Sequence, residues 1–330
     1  PAEYVSFDQI SQMEAAAHAP ESYLRTRQGA VIIDEVQMVP DIFRALKVIV
    51  DERREKRGTA LRGQFLLMGS ANIMALPKMA APLVGRMGVL TLYPLASAEI
   101  YNGKGDFIDR VFQGNFRTDQ KKRSKNIVDQ ILASTFPQAA RLSAPERLSW
   151  FDGYLTTILQ RDVRALAEIE KMTALPNLLR IMANRVGGLI NDSDIARSAG
   201  LNITTTRNYK TLLKMLFLTF DVPPWYRNVG KRLVKSPKSY LIDTLLLCHI
   251  LQYDPAHLAQ NQPHLFGHVL ENFVATELLK LTTFMDHPGA LYHFRTSDQK
   301  EVDFVIEKKN GDLIGIEVKK RDTVTRADFN

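Results

Sequence analysis

The chain has 330 residues, enough for two or three domains of average size, and its 45% apolar and 24% charged content excludes a disordered segment. Lys and Arg number 43 against 36 acidic residues, a formal charge of +7, which admits an anionic partner such as DNA without requiring one. The single cysteine, Cys248, excludes an intramolecular disulfide framework and a multi-cysteine zinc site, and no apolar run approaches the roughly 18–20 residues of a spanning helix. No secretory apolar stretch opens the sequence, so the expected location is cytoplasmic and away from the membrane. The sequence begins at Pro1 rather than at a methionine, which suggests a trimmed or incomplete protein.

Residues 1–98 read as alternating α/β. Ala30–Ile33 is a short apolar run ending in Asp34-Glu35, and Pro40–Arg53 has Ile42, Leu46 and Ile49 at helical spacing. Gln64–Met68 is a second strand stopped by Gly69-Ser70, a turn or short helix follows around Ala75–Leu83, and Gly88–Leu92 reads as a third strand. Such strands separated by helices predict a parallel sheet with covered faces. Residues 99–185 read as a helical connector, with an aromatic stripe (Trp150, Phe151, Tyr154) of the kind that packs a core. In 186–250, Asp192–Leu201 predicts a short helix ended by Gly200. Thr204–Leu216 predicts a second helix, before the strand-like Phe217–Val222. That order suggests a winged helix. Residues 262–330 return to α/β: a helix over His268–Leu281, then strands at Ala290–Arg295, Val302–Ile306 and Leu313–Val318. Lys308-Lys-Asn-Gly311 marks a hairpin between the last two.

An apolar strand that delivers Asp34-Glu35 at its carboxyl end is the arrangement by which P-loop ATPases hold Mg²⁺ with the Asp and orient water with the Glu. Strands ending in acidic residues are common, but Ser70 and Asn72 follow the next strand, where a γ-phosphate sensor would sit, and Arg86 offers a charge-stabilising arginine. With these residues the sequence resembles a family of prokaryotic AAA+-like ATPases. The likeness runs through Ile33-Asp-Glu-Val-Gln37, Val39-Pro40, Gly69-Ser-Ala-Asn72, Gly85-Arg86 and Leu92-Tyr-Pro-Leu95 to Glu99. It continues in Tyr154–Asp162, Pro224-Trp225, Lys231-Arg232, Pro237-Lys238, Asp243-Thr, Leu270-Glu271-Asn-Phe and Glu301-Val-Asp303-Phe. The resemblance implies ATP and Mg²⁺ as cofactors, handled by Asp34, Glu35, Ser70, Asn72 and Arg86; Arg86 acting in trans would require a homo-oligomer. One departure stands out. No Gly-x-x-x-x-Gly-Lys-[Ser/Thr] loop occurs in the chain, so the triphosphate lacks its cradle here, and an N-terminal piece of about 40 residues is expected to precede Pro1 in the full protein.

A second constellation joins Glu271 on the helix, Asp303 on one strand and Glu317-Val-Lys319 on the next. It looks like a PD-(D/E)XK nuclease site, in which carboxylates hold Mg²⁺ against a phosphodiester and the lysine activates water. The plainer reading is a surface hairpin with cross-strand ion pairs. Arg295 and Glu301 are accessory candidates. Arg207, Lys210 and Lys214 form one cationic stripe on the second helix of the helix-turn-helix. Lys231 and Arg232, after Trp225-Tyr226, form another, and both are candidate phosphate contacts. A further basic cluster, Lys121, Lys122, Arg123 and Lys125, reads as a solvated loop.

The sequence therefore predicts an α/β multidomain ATPase acting on DNA. Its parts are an N-terminally incomplete P-loop core (1–98), a helical connector (99–185), a winged helix (186–250) and a restriction-endonuclease-like domain (262–330). The alternative is a nucleotide-switched DNA- or protein-binding regulator whose nuclease-like domain is a non-catalytic scaffold.

Overall fold

The computed structural model describes residues 2–57, 63–72, 79, 81–115, 126–163, 172–228, 230, 232, 235–296, 298 and 300–320, the side chains of 56, 57, 161 and 162 aside. Lys121, Lys122, Arg123, Lys125, Lys231 and most of the segment Ala75–Leu83 lie outside the described residues. The chain divides into two compact units. One comprises Pro1–Thr91, Thr156–Met172 and Thr211–Phe217; the other comprises Leu92–Leu155, Thr173–Lys210 and Leu218–Asn330.

The first unit is built on three parallel strands, β1 (Glu3–Ser6), β2 (Val31–Asp34) and β3 (Phe65–Leu67), in that order across the sheet. Strand side chains alternate, so Val31 and Ile33 go into the core while Ile32 and Asp34 take the other face. Between β1 and β2 run helices α1 (Ile10–His18) and α2 (Pro20–Arg25), and α3 (Ile42–Arg57) links β2 to β3. Ile42, Phe43, Ala45, Leu46 and Ile49 of α3 join Val31, Ile33, Phe7 and Leu24 in one buried cluster, the helical spacing read from the sequence.

Two strand expectations change. β1 pairs with β2 from Glu3↔Val31 to Ser6↔Asp34, although nothing in its short sequence announced it. The expected strand Gly88–Leu92 is irregular, with Leu90 96% and Leu92 99% exposed. Apolar alternation marks where a strand could form, but a strand also needs a neighbour for its amides. Among the described residues β3 pairs with β2 alone.

The second unit contains most of α4 (Ala144–Thr157), then α5 (Ala174–Ala183), α6 (Asp192–Ala199) and the start of α7 (Ile203–Met215). Phe136, Trp150, Phe151 and Tyr154 pack ring on ring, with Trp150 and Tyr154 stacked at 5.0 Å, as expected of a core stripe. Asn191 caps α6 by accepting from the amides of Ser193 and Asp194, and Gly200 ends it at φ 65, a backbone region that favours glycine. After α7 come β4 (Thr219–Val222) and β5 (Lys238–Leu241), an antiparallel pair, and Leu189 bridges the other side of β5. Helices α8 (Thr244–Leu251) and α9 (Pro263–Leu281) lead into an antiparallel meander of β6 (Gly289–Arg295), β7 (Glu301–Lys308) and β8 (Leu313–Ile316). Gly311, at φ 91, closes the β7–β8 turn where the hairpin was expected. Tyr240, Leu241, Ala275, Leu278, Phe304 and Ile306 form the core of this unit. Among the described residues no helix is long and apolar enough to cross a membrane.

Candidate functional site

The carboxyl ends of β2 and β3 gather the first group. Asp34 Oδ1 accepts the Glu35 amide at 3.0 Å and Oδ2 accepts the Tyr4 hydroxyl at 2.7 Å. That carboxylate raises the Tyr4 pKa. Glu35 sits at φ 50, in the left-handed region, and turns the chain sharply as β2 ends. Its Oε2 accepts from Gln37 Nε2 and, at 3.4 Å, from the Ser70 hydroxyl; Gln37 Nε2 also lies 3.3 Å from Ser70 Oγ. Gly69 makes room for this: a Cβ there would stand 2.3 Å from Gln37 Oε1. Gln37 Oε1 itself is buried without a hydrogen-bond partner.

The structure thus brings together Asp34, Glu35 and Ser70, and adds Gln37, which sequence reasoning did not assign. Asn72 follows nearby in the chain and donates its amide to the Met215 carbonyl at 2.8 Å. Arg86, the expected charge-stabilising arginine, grips Asp51 of α3 with two bonds, at 2.7 and 2.8 Å, and donates a third to the Val84 carbonyl. A guanidinium closed on a carboxylate does not offer its fork to phosphate. The Arg86 hydrogen bond also lowers the Asp51 pKa. Hard oxygen donors at a strand end suit Mg²⁺ carried by a nucleotide, so Asp34, Glu35 and Ser70 fit that cofactor pair. The phosphate-binding loop is not among the described residues.

The second group lies in the other unit and differs from the expected metal shell. At its centre is Lys238, the first residue of β5, with a side chain only 3% exposed. Its Nζ is 2.6 Å from Glu301 Oε1, 3.0 Å from Glu271 Oε1 and 3.7 Å from Asp303 Oδ1. Tyr240 donates to the same Glu271 oxygen at 2.8 Å. Gly187, at φ 77, lets the Glu271 carboxylate approach, since a Cβ would come within 2.8 Å of it. Glu317 lies just past the end of β8: Oε2 accepts the Asp303 amide at 3.3 Å and Oε1 accepts Lys319 Nζ at 2.6 Å. Asp303 Oδ2 accepts the Val318 amide at 2.9 Å.

Asp303 and Glu317 are therefore neighbours, as the strands predicted, but Glu271, Asp303 and Glu317 do not converge on a shared vacancy. Among the described residues no three His, Cys, Asp or Glu side chains are placed to hold a metal ion. As arranged, the expected shell does not fit Mg²⁺, because an ammonium stands among its oxygens. Arg295 remains peripheral, 3.8 Å from Glu301. Cys248 is buried, and burial and then Asp243 push its thiol up to about 12, so it is inert as a nucleophile.

Two buried groups here titrate in the same window with opposite sign. Burial pushes Asp303 up to about 6; the Val318 amide and Lys238 oppose this, while Glu271 and Glu317 add to it. The unfolded carboxyl ionises near 3.8, so between that pH and 6 the folded chain holds the extra proton and stability falls as pH rises. Burial and then the Lys238 charge push His293 down to about 4 from 6.5, so it stays neutral when folded and stability falls as pH drops through that range. The two dependences offset each other in the wild type. Asp303→Asn removes one of them, so its melting temperature is expected to fall more steeply than that of the wild type between pH 6.5 and 4. Parallel curves would refute this.

The expected DNA contacts are largely engaged within the protein. Asp192 at the start of α6 accepts Arg207 Nε at 2.7 Å and Lys210 Nζ at 2.5 Å, and Lys214 is engaged as well. Arg232 donates to both Glu307 oxygens and to the Tyr226 carbonyl, and its guanidinium lies over the rings of Trp225 and Tyr292. Arg207, Lys210 and Arg232 are thus each held by a carboxylate that the sequence reading had not paired with them.

Residues 1–101 match the AAA domain family, residues 124–257 a domain of unknown function (DUF8612) and residues 266–330 a domain of unknown function (DUF4143). An uncharacterized protein of Mycobacterium tuberculosis and one of Mycobacterium bovis are each 28% identical over 319 residues, covering 96% of this chain and 65% of the relative. An uncharacterized protein of Haemophilus influenzae is 26% identical over 293 residues, 84% of this chain and 62% of the relative. The chain thus spans 65% and 62% of the lengths of these relatives. The N-terminal α/β region with its parallel sheet is similar to AAA domains, a class of P-loop ATPases.

Proposed function

We propose that residues 1–101 carry the Walker B and sensor side of an AAA-type ATP site. We further propose that the C-terminal region is a nucleotide-controlled binding or regulatory module whose nuclease-like cluster does no hydrolysis. The observation that carries the first part is the joining of Glu35, Gln37 and Ser70 at the ends of adjacent parallel strands, beside Asp34. The AAA match over the same residues supports it.

Bound ATP with Mg²⁺ supplies the scissile phosphoryl group and the ion that balances its charge. Asp34, steadied by the Glu35 amide and the Tyr4 hydroxyl, would be the carboxylate that holds that ion. Glu35 would be the group that takes the proton of the attacking water. Ser70 and Gln37 hold its carboxylate in one orientation, which is the arrangement a positioned base requires.

Two observations favour the regulator over a nuclease: Lys238 is paired within the acidic cluster, and Asp192 ties Arg207 and Lys210.

The reading requires a phosphate-binding loop, which no stretch of these 330 residues supplies, so the test uses the full-length protein. Full-length protein is expected to release phosphate from ATP and to leave supercoiled plasmid intact in Mg²⁺ or Mn²⁺. Failure to bind or hydrolyse ATP overturns the first half. Nicking that disappears in both Asp303→Ala and Lys319→Ala overturns the second.

A further inference from the structure

We propose that Lys238 is the resident cation of the Glu271–Glu301–Asp303 cluster, so that this acidic group takes no divalent ion in the native chain and becomes a divalent-cation site only when the ammonium is removed. The geometry argues for replacement rather than coexistence. Mg²⁺ requires oxygens at about 2.0–2.1 Å in a near-octahedral shell and gives up its waters reluctantly. Lys238 Nζ already stands 2.6 Å from Glu301, 3.0 Å from Glu271 and 3.7 Å from Asp303, so an ion bridging these oxygens would occupy the ammonium's position.

The ammonium cannot readily step aside. Its strand is fixed on both sides, by Val222 of β4 and by the bridge to Leu189, so only the side chain could move. That side chain is 3% exposed. An ammonium moved off its carboxylates would be an unpaired buried charge, which is far more costly than any ion–ligand adjustment at the surface. Two of its three N–H donors match Glu301 and Glu271, and Tyr240 supplies Glu271 with another. Burial alone would pull the Lys238 pKa down, but Glu271 and Glu301 outweigh it and raise it, so the positive charge is retained. One fixed positive charge thus does the electrostatic work of an ion while adding no Lewis acid and no bound water.

The inference shares with the regulator reading only the denial of a resident ion at this cluster. ATP hydrolysis could fail without affecting it, and the following titration reads the C-terminal cluster by itself. Mn²⁺ is titrated into the chain without nucleotide, and free Mn²⁺ is followed by electron paramagnetic resonance. Wild type and Asp303→Asn are expected to bind the same number of ions. One additional ion in the wild type would overturn the proposal, whatever the other variants do. Lys238→Met, similar in length and uncharged, is expected to gain one Mn²⁺ that Lys238→Met/Asp303→Asn does not bind. A cooperatively melting Lys238→Met without that gain also overturns it, and if Lys238→Met does not fold, the comparison of wild type with Asp303→Asn decides.

Discussion

Glu35→Gln in the full-length protein is expected to reduce kcat for ATP hydrolysis by roughly 100- to 10,000-fold while shifting KM by no more than about threefold, the signature of a base used only in the transition state. The substitution suits the question because it alters little else. Gln has the length of Glu, and the left-handed turn at φ 50 strains both alike. The backbone amide that Asp34 accepts is untouched, so Asp34 keeps its place. What disappears is the capacity to take a proton. The bond from Gln37 Nε2 survives if the new amide presents its oxygen. Coupled ATP hydrolysis beside nucleotide binding separates the outcomes. Loss of binding together with rate would mean that Glu35 supports the loop rather than the chemistry, and an unchanged kcat would remove it from the mechanism.

What the sequence disclosed, and what it concealed, follows from the range of the interactions. β2, α3 and the β7–β8 hairpin were legible because their signals are local: Val31 and Ile33 in alternation, Ile42, Leu46 and Ile49 at helical spacing, and Gly311 in a turn needing positive φ. β1 was concealed because its strand character comes from pairing with β2, and Gly88–Leu92 was overread because apolar residues were present without a partner strand. The same division holds at the sites. Asp34, Glu35 and Ser70 could be read from their places at strand ends. Gln37 could not, since it reaches Glu35 only through a left-handed turn and the missing Cβ of Gly69. Lys238 was read within the Pro237-Lys238 motif, with no partner assigned. Its partner Glu271 lies 33 residues on, and a lysine opening a buried strand is spelled like one in a loop. The one available signal was its place at the head of the apolar run Tyr240-Leu-Ile242.

Lys238→Ala is accordingly expected to destabilise the chain by about 3–5 kcal/mol, the magnitude for removing one partner of a buried ionic group. The loss comes less from the missing attraction than from what remains. Glu271, Glu301 and Asp303 would face one another, and their side chains are only 16, 30 and 15% exposed. Like charges so placed either repel or take up protons. Stability lost at neutral pH should therefore return in part as pH falls, because the folded variant then binds protons that the unfolded chain does not. An exposed pair provides the contrast: Arg25 grips Glu52 at 2.6 and 2.7 Å, but the two side chains are 46 and 38% exposed. With solvent screening both charges, Arg25→Ala should cost far less than Lys238→Ala. Urea unfolding of the two variants at pH 7.5 and, for Lys238→Ala, again near pH 5 tests the argument. A loss no larger than that of Arg25→Ala, or one that deepens as pH falls, would mean that the ammonium is a neighbour of these carboxylates and not their counterion.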